Sequence, residues 1–115
     1  MTQTRDADSL AAFELLVVLA ALRLGPDEAY TVSIAADIAA RTGRGVRRAN
    51  VYTTLQRLEA KGLVTTRLGE PRPERGGRAR RLVEVAPAGV SAVRATTRAI
   101  GAMVGELGEL LGEAG

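Results

Sequence analysis

The chain has 115 residues, enough for one domain with a short appendage and too few for two full cores. Hydrophobic residues make up 46% and charged residues 25%, a globular balance; with no Cys and no His there is no disulfide, no thiol or imidazole nucleophile and no thiolate or imidazole metal ligand. The net charge of +3 hides a polarised chain: residues 41–81 carry 12 Lys/Arg against 3 Asp/Glu, a net of +9, and the remainder a net of −6, which points an anionic partner at the middle of the sequence.

Residues 1–8 read as a disordered N-terminal tail. From Leu10 to Leu24 apolar residues cover nearly the whole circumference of a helix, with Ser9 as a plausible N-cap and Gly25-Pro26 as its end. A helix apolar all round must be covered from several directions, so a partner subunit is expected to cover part of it. The apolar stretch Leu10–Leu22 has 13 residues, short of the ~20 that span a bilayer, and it follows the acidic Asp6 and Asp8 rather than a basic flank. A cytoplasmic protein with no membrane partner is the expectation.

A second helix fits Thr31–Thr42, with Ile34 and Ile38 inward, closed by Gly43. A third, about Arg48 to Lys61, places Val51, Leu55 and Leu58 at i, i+4 and i+7 and ends at Gly62. Its other face carries Asn50, Thr53, Thr54, Arg57 and Lys61. After Gly62 the period changes: Leu63–Leu68 and the run Leu82, Val83, Val85 read as two short strands. The intervening Gly69–Gly77, with two prolines and three glycines, reads as a long hairpin loop with a basic tip. From Pro87 the helical period returns, with Val93, Ile100 and Leu107 seven apart and Thr96, Met103 and Leu110 in the other seam position. Gly101, Gly105, Gly108 and Gly112 fall in the same stretch, each costing ~1 kcal/mol against Ala, so the helix is expected to fray there.

Three helices, a two-stranded hairpin with a basic tip and a long last helix make a mainly α, α+β fold with the layout of a winged helix-turn-helix domain. The expected division is a DNA-binding domain over residues 9–86 and a dimerisation helix over 87–115. A reader helix needs one apolar face for its scaffold and a second face of short polar and Arg side chains for base edges in a major groove ~12 Å wide. The third helix supplies both.

The run Val51-Tyr52-Thr53-Thr54-Leu55-Gln56-Arg57-Leu58-Glu59-Ala60-Lys61-Gly62-Leu63-Val64, with Arg67-Leu68-Gly69-Glu70-Pro71 and Pro73-Glu74-Arg75-Gly76-Gly77-Arg78, resembles the PadR family of transcriptional regulators over about residues 10 to 90. The resemblance implies a winged-helix repressor that binds an inverted-repeat operator on double-stranded DNA as a homodimer built through its terminal helices. Tyr52 falls at the family's Tyr of the reader helix, close to DNA backbone, and Gly76-Gly77-Arg78 at the wing turn. The chain departs from the pattern at Arg47, where Ser or Thr usually begins the reader helix, at Leu82 and Val83, where aromatics are usual, and at Ala86, where a Thr typically caps the last helix. It has no Trp, so the stacking of planar ligands between tryptophans does not carry over.

Residue by residue, Asn50, Thr53, Thr54 and Arg57 are expected to read base edges. Arg47, Tyr52, Arg78 and Arg80 are expected on the DNA backbone, and Arg48, Arg75, Gly76 and Gly77 complete the expected interface. The dimer is expected to form from Leu15, Leu19 and Leu22 of the first helix against Val93, Ile100, Met103, Leu107 and Leu110 of the last. A small apolar effector, if there is one, would lie between the terminal helices against Phe13, Val17 and Met103. Gly76-Gly77 lacks the Gly-Lys-Ser/Thr continuation of a phosphate-cradling loop and reads as a turn. Asp27 and Glu28, like Glu106 and Glu109, have no partner ligands and read as solvated charges, so no enzyme activity, metal or cofactor is expected. The alternative function is a winged-helix protein-interaction module without DNA binding.

Overall fold

In the computed structural model, residues 10–70 and 79–112 are described. Helix α1 spans Ala12–Leu24, α2 Thr31–Thr42 and α3 Arg48–Ala60; strands β1 (Val64–Leu68) and β2 (Arg81–Val85) follow, then α4 (Pro87–Val104) and a 3₁₀ turn over Gly105–Leu107. The first helix begins two residues later than its apolar run, with Ala11 at the cap position. Ala11 has no side-chain oxygen, and the Glu14 carboxylate instead accepts the Ala11 N–H at 2.9 Å. Ser9, the expected cap, lies outside the described residues, as does the expected tail.

Glycines end the first three helices where the sequence places them. The clearest case is α3: Gly62 adopts φ +78°, its N–H donates to the Glu59 carbonyl and the Leu63 N–H to the Leu58 carbonyl, a Schellman closure that turns Leu63 into the core. The chain thereby reverses from α3 into β1. The strands pair antiparallel in the register Val64↔Val85, Thr66↔Val83 and Leu68↔Arg81. The Val83 N–H also donates to the Ala29 carbonyl at 2.8 Å, tying the hairpin to the loop before α2.

The core sits where α1 crosses the rest of the molecule. Val17, Val18 and Ala20 are fully buried, and α1 packs against α2, α3, β2 and α4. That corrects the expectation drawn from its apolar circumference: most of the covering comes from the same chain. Leu15, expected at a subunit interface, is buried in this core, and Leu19 and Val93 are partly buried against it. Val17 likewise is too deep to line an effector site. Leu22 stays exposed at 42%.

The last helix approaches through small residues. An added Cβ on Gly89 would overlap the Leu63 carbonyl oxygen and press on the Val85 side chain, so only glycine lets α4 lie this close to the start of the hairpin. Ala92 and Thr96 are buried one and two turns later, and the Thr96 hydroxyl accepts the Leu10 N–H at 3.2 Å, joining α4 to the start of the first helix. Regular helix stops at Val104, among the glycines. The heptad pattern therefore does not continue as α-helix to Leu107 and Leu110, and the expected helix over 87–115 is shorter than its hydrophobic repeat. Among the described residues no helix is long and apolar enough to cross a membrane.

Candidate nucleic-acid interface

Helix α3 is pinned by Val51, Thr54, Leu55 and Leu58, all buried. Thr54, expected on the outer face, is 4% exposed; both α1 and α2 pack on α3, which widens its buried face to include the position three residues after Val51. Lys61 is also turned away from the outer face. Its ammonium donates to both oxygens of Glu14, at 3.0 and 3.3 Å, and so joins the end of α3 to the start of α1. Burial pushes the Glu14 carboxyl up, but the Ala11 N–H, the Lys61 ammonium and the nearby Arg57 charge outweigh it and hold the pKa below its ordinary value.

The exposed side of α3 divides into three strips. Asn50 and Arg57 flank α1, lining open grooves that meet at Phe13; the groove bounded by Glu14, Arg57 and Lys61 has a volume of about 590 Å³. Tyr52 and Glu59 flank the hairpin. There Glu59 accepts the Thr66 hydroxyl at 3.0 Å, and the Arg81 guanidinium donates to the same Thr66 oxygen at 3.2 Å, setting the angle between α3 and the sheet. Between these flanks, opposite the buried face at ~100° per residue, lie Ala49, Thr53, Gln56 and Ala60, all exposed. Gln56 is absent from the residues expected to read bases. Its chemistry is less conspicuous than that of Arg57 beside it, and only counting helical angle from the buried positions would have singled it out.

The cations sort in the same way. In the sheet they are engaged: Arg67 donates to Asp27 at 2.9 Å and to the Pro26 carbonyl, while Arg81 holds Thr66. Arg80, expected on DNA backbone, is folded inward. Its side chain is 10% exposed, its guanidinium lies 4.9 Å from the Tyr30 ring centroid, and Glu28 is 4.0 Å away. An Arg next to a strand start alternates between the two faces of the sheet, and this one falls on the side covered by the loop before α2. By contrast, the guanidinium groups of Arg44, Arg47, Arg48 and Arg57 have no ion-pair or hydrogen-bond partner among the described residues and are exposed. Arg47 is the N-cap residue of α3 and supplies no side-chain cap, so the helix begins uncapped by any side chain in a stretch where Arg44, Arg47 and Arg48 are all exposed. Helix N-termini and cations together favour phosphate. Arg75, Gly76, Gly77 and Arg78 lie outside the described residues.

Among the described residues no cluster of three or more Asp or Glu could hold a metal ion. The charged groups that remain are suited to holding an anionic polymer, with short polar side chains between them.

A model of the PadR-like family of transcriptional regulators matches residues 18–95. The chain belongs to that family. Its members are transcriptional regulators rather than enzymes. The PadR-like chain is also similar in fold to a crystal structure of a PadR family transcriptional regulator from Eggerthella lenta DSM 2243, at 22% identity over 84% of this chain and 80% of that one, with a TM-score of 0.65. A second solved structure, the complex structure of hsRosR-S4, aligns at 20% identity over 88% of this chain and 79% of that one, with a TM-score of 0.63. No curated protein sequence matches it. The fold of the PadR-like chain is thus the winged helix, with α3 as the second helix of the helix-turn-helix and β1–β2 as the stem of the wing.

Proposed function

We propose that the protein is a DNA-binding transcriptional repressor that engages an inverted-repeat operator as a homodimer, with α3 in the major groove and the hairpin beside it. The observation that carries this reading is the concentration of exposed arginines, Arg44, Arg47, Arg48 and Arg57, none of them in an ion pair among the described residues, around the exposed face of α3. Guanidinium groups left unpaired by the described carboxylates of their own chain suit a polyanion better than they suit a protein-interaction module. The homodimer rests on the exposed apolar residues of the last segment, Ile100, Met103, Leu107 and Leu110, together with Leu22. An apolar effector between the terminal helices would meet Met103, which is exposed, whereas Phe13 borders the grooves beside Asn50 and Arg57.

Footprinting on the DNA upstream of the protein's own gene, followed by a salt titration, tests the reading. The expected result is a protected inverted repeat, with affinity falling steeply as salt rises. Arg47→Ala should reduce the slope of log K against log salt by roughly 0.9 for each phosphate that a subunit no longer neutralises. Binding to no duplex at low salt would leave the protein-interaction module as the better reading. Repression itself is read from a reporter under the footprinted promoter, which should rise when the protein is removed.

A further inference from the structure

From the geometry of α3 we infer that Gln56 is the principal base-reading residue and that it selects adenine; the inference rests on the DNA-binding reading above. Ala49, Thr53, Gln56 and Ala60 form the line opposite the buried face, and three of them are short. A helix with such a line can lie deep in a major groove, its backbone near the base edges, and Gln56 is the only side chain on that line that reaches further. At ~100° per residue Arg57 and Asn50 fall a quarter turn or so from the middle of that line, on the side of the Phe13 grooves that Thr53 also borders, where the phosphate strand rises. The Gln56 side chain is also oriented. Its Nε2 donates to the Tyr52 hydroxyl one turn earlier in a long contact of 3.5 Å, which leaves the carbonyl oxygen and one N–H without a partner among the described residues.

Held this way, the amide keeps one N–H and its carbonyl oxygen for a base. Adenine offers N7 as acceptor and N6–H₂ as donor on its major-groove edge, matching both, whereas guanine presents two acceptors there and would set O6 against the Gln56 oxygen. The Tyr52 hydroxyl, having accepted from Gln56, retains its proton for a phosphate.

The test is selection of bound duplexes from a library with a randomised central segment, using the full chain as wild type, Gln56→Ala, Gln56→Glu and Arg57→Ala, followed by direct titration of the selected duplex and its single-base variants. Gln56 is exposed, so none of its substitutions threatens the fold. The wild type should prefer adenine over guanine at one position of each half-site by about 5- to 150-fold. Gln56→Ala should bring that position close to parity, Gln56→Glu should move it toward cytosine, whose N4–H₂ a carboxylate accepts, and Arg57→Ala should weaken binding while keeping the adenine. A wild type with a defined motif that Gln56→Ala shares unchanged would overturn the assignment of Gln56 alone. A wild type that selects no duplex would overturn the DNA-binding reading, and this inference with it.

Discussion

The two halves of α4 carry the same seven-residue repeat and meet opposite surroundings. In the first half Gly89, Ala92 and Thr96 are buried against the hairpin and the start of α1; from Thr97 to Val104, and on through the 3₁₀ turn to Leu107, every residue is exposed, including Ile100 at 47% and Met103 at 78%. The smaller residues are inside and the larger apolar ones outside. Close approach governs the docked half, because a helix can lie this near to a strand only where its own side chains are short. The outer half then carries apolar surface that its own chain does not cover.

Gly89→Ala is the sharpest way to break the docked half. The methyl group would meet the Leu63 carbonyl oxygen, a backbone atom held by the Schellman turn after α3 and by the Ala86 N–H at 3.0 Å, so neither side yields without moving the helix. Overpacking of this kind costs typically 1–3 kcal/mol, and rigid backbone on the far side puts this site at or above the top of that range. Urea denaturation should show a fall of about 3 kcal/mol with an unchanged m-value. A variant as stable as wild type would mean that α4 is not held at this distance.

Much of this arrangement is legible in the sequence, for local reasons. Gly25, Gly43 and Gly62 punctuate the helices, the apolar runs around Val64 and Val83 form the two strands, and Pro87 opens α4. What is not legible depends on which element arrives from far along the chain. Thr54 is buried because α1 and α2 both pack on α3, Leu15 because four elements converge on α1, and Arg80 because its partner Tyr30 lies 50 positions earlier. The glycines signal the end of α4 at Val104, whereas the apolar heptads argue the other way. In the candidate interface, charge draws the reading to Arg57, and the angle that each residue makes with the buried face separates it from Gln56.

A smaller effect is expected at the start of α1, which lies between the docked half of α4 and the end of α3. Leu10 bonds Thr96 and Ala11 bonds Glu14, which in turn holds Lys61; the start of α1 is therefore clamped between α4 and α3. The Glu14 pKa is lowered on folding. Its contribution is complete above the unfolded value, about 4.3, and is lost as the pH falls through the folded pKa. Glu14→Gln should cost about 1–3 kcal/mol at pH 7, below the ~3–5 of a fully buried pair because the Lys61 ammonium reaches solvent. The loss should shrink as the pH is lowered below about 4.3. Wild-type and variant stability curves that run parallel from neutral to acid pH would show that the carboxylate charge stabilises nothing here.

The smallest effect on the folded chain, and the largest on its assembly, is expected in the outer half of α4 and the 3₁₀ turn that follows it. Met103→Glu and Leu107→Glu alter side chains that touch little of their own chain, so the stability of a single subunit should change by no more than about 0.5 kcal/mol. If two copies cover this surface together, each substitution places an unpaired carboxylate in the shared apolar seam, which costs several kcal/mol of association. The measurement that separates the two effects is thermal unfolding across a range of protein concentrations, with sedimentation for the oligomeric state. Wild type should be dimeric at micromolar concentration with a Tm that rises with concentration, since a partner that binds only the folded chain stabilises by mass action. Both variants should be monomeric with a Tm independent of concentration and equal to that of wild type at high dilution. Variants that lose stability even at high dilution would place Met103 and Leu107 in the core of a single chain, and a wild type that sediments as a monomer would remove the homodimer from the proposed mode of DNA binding.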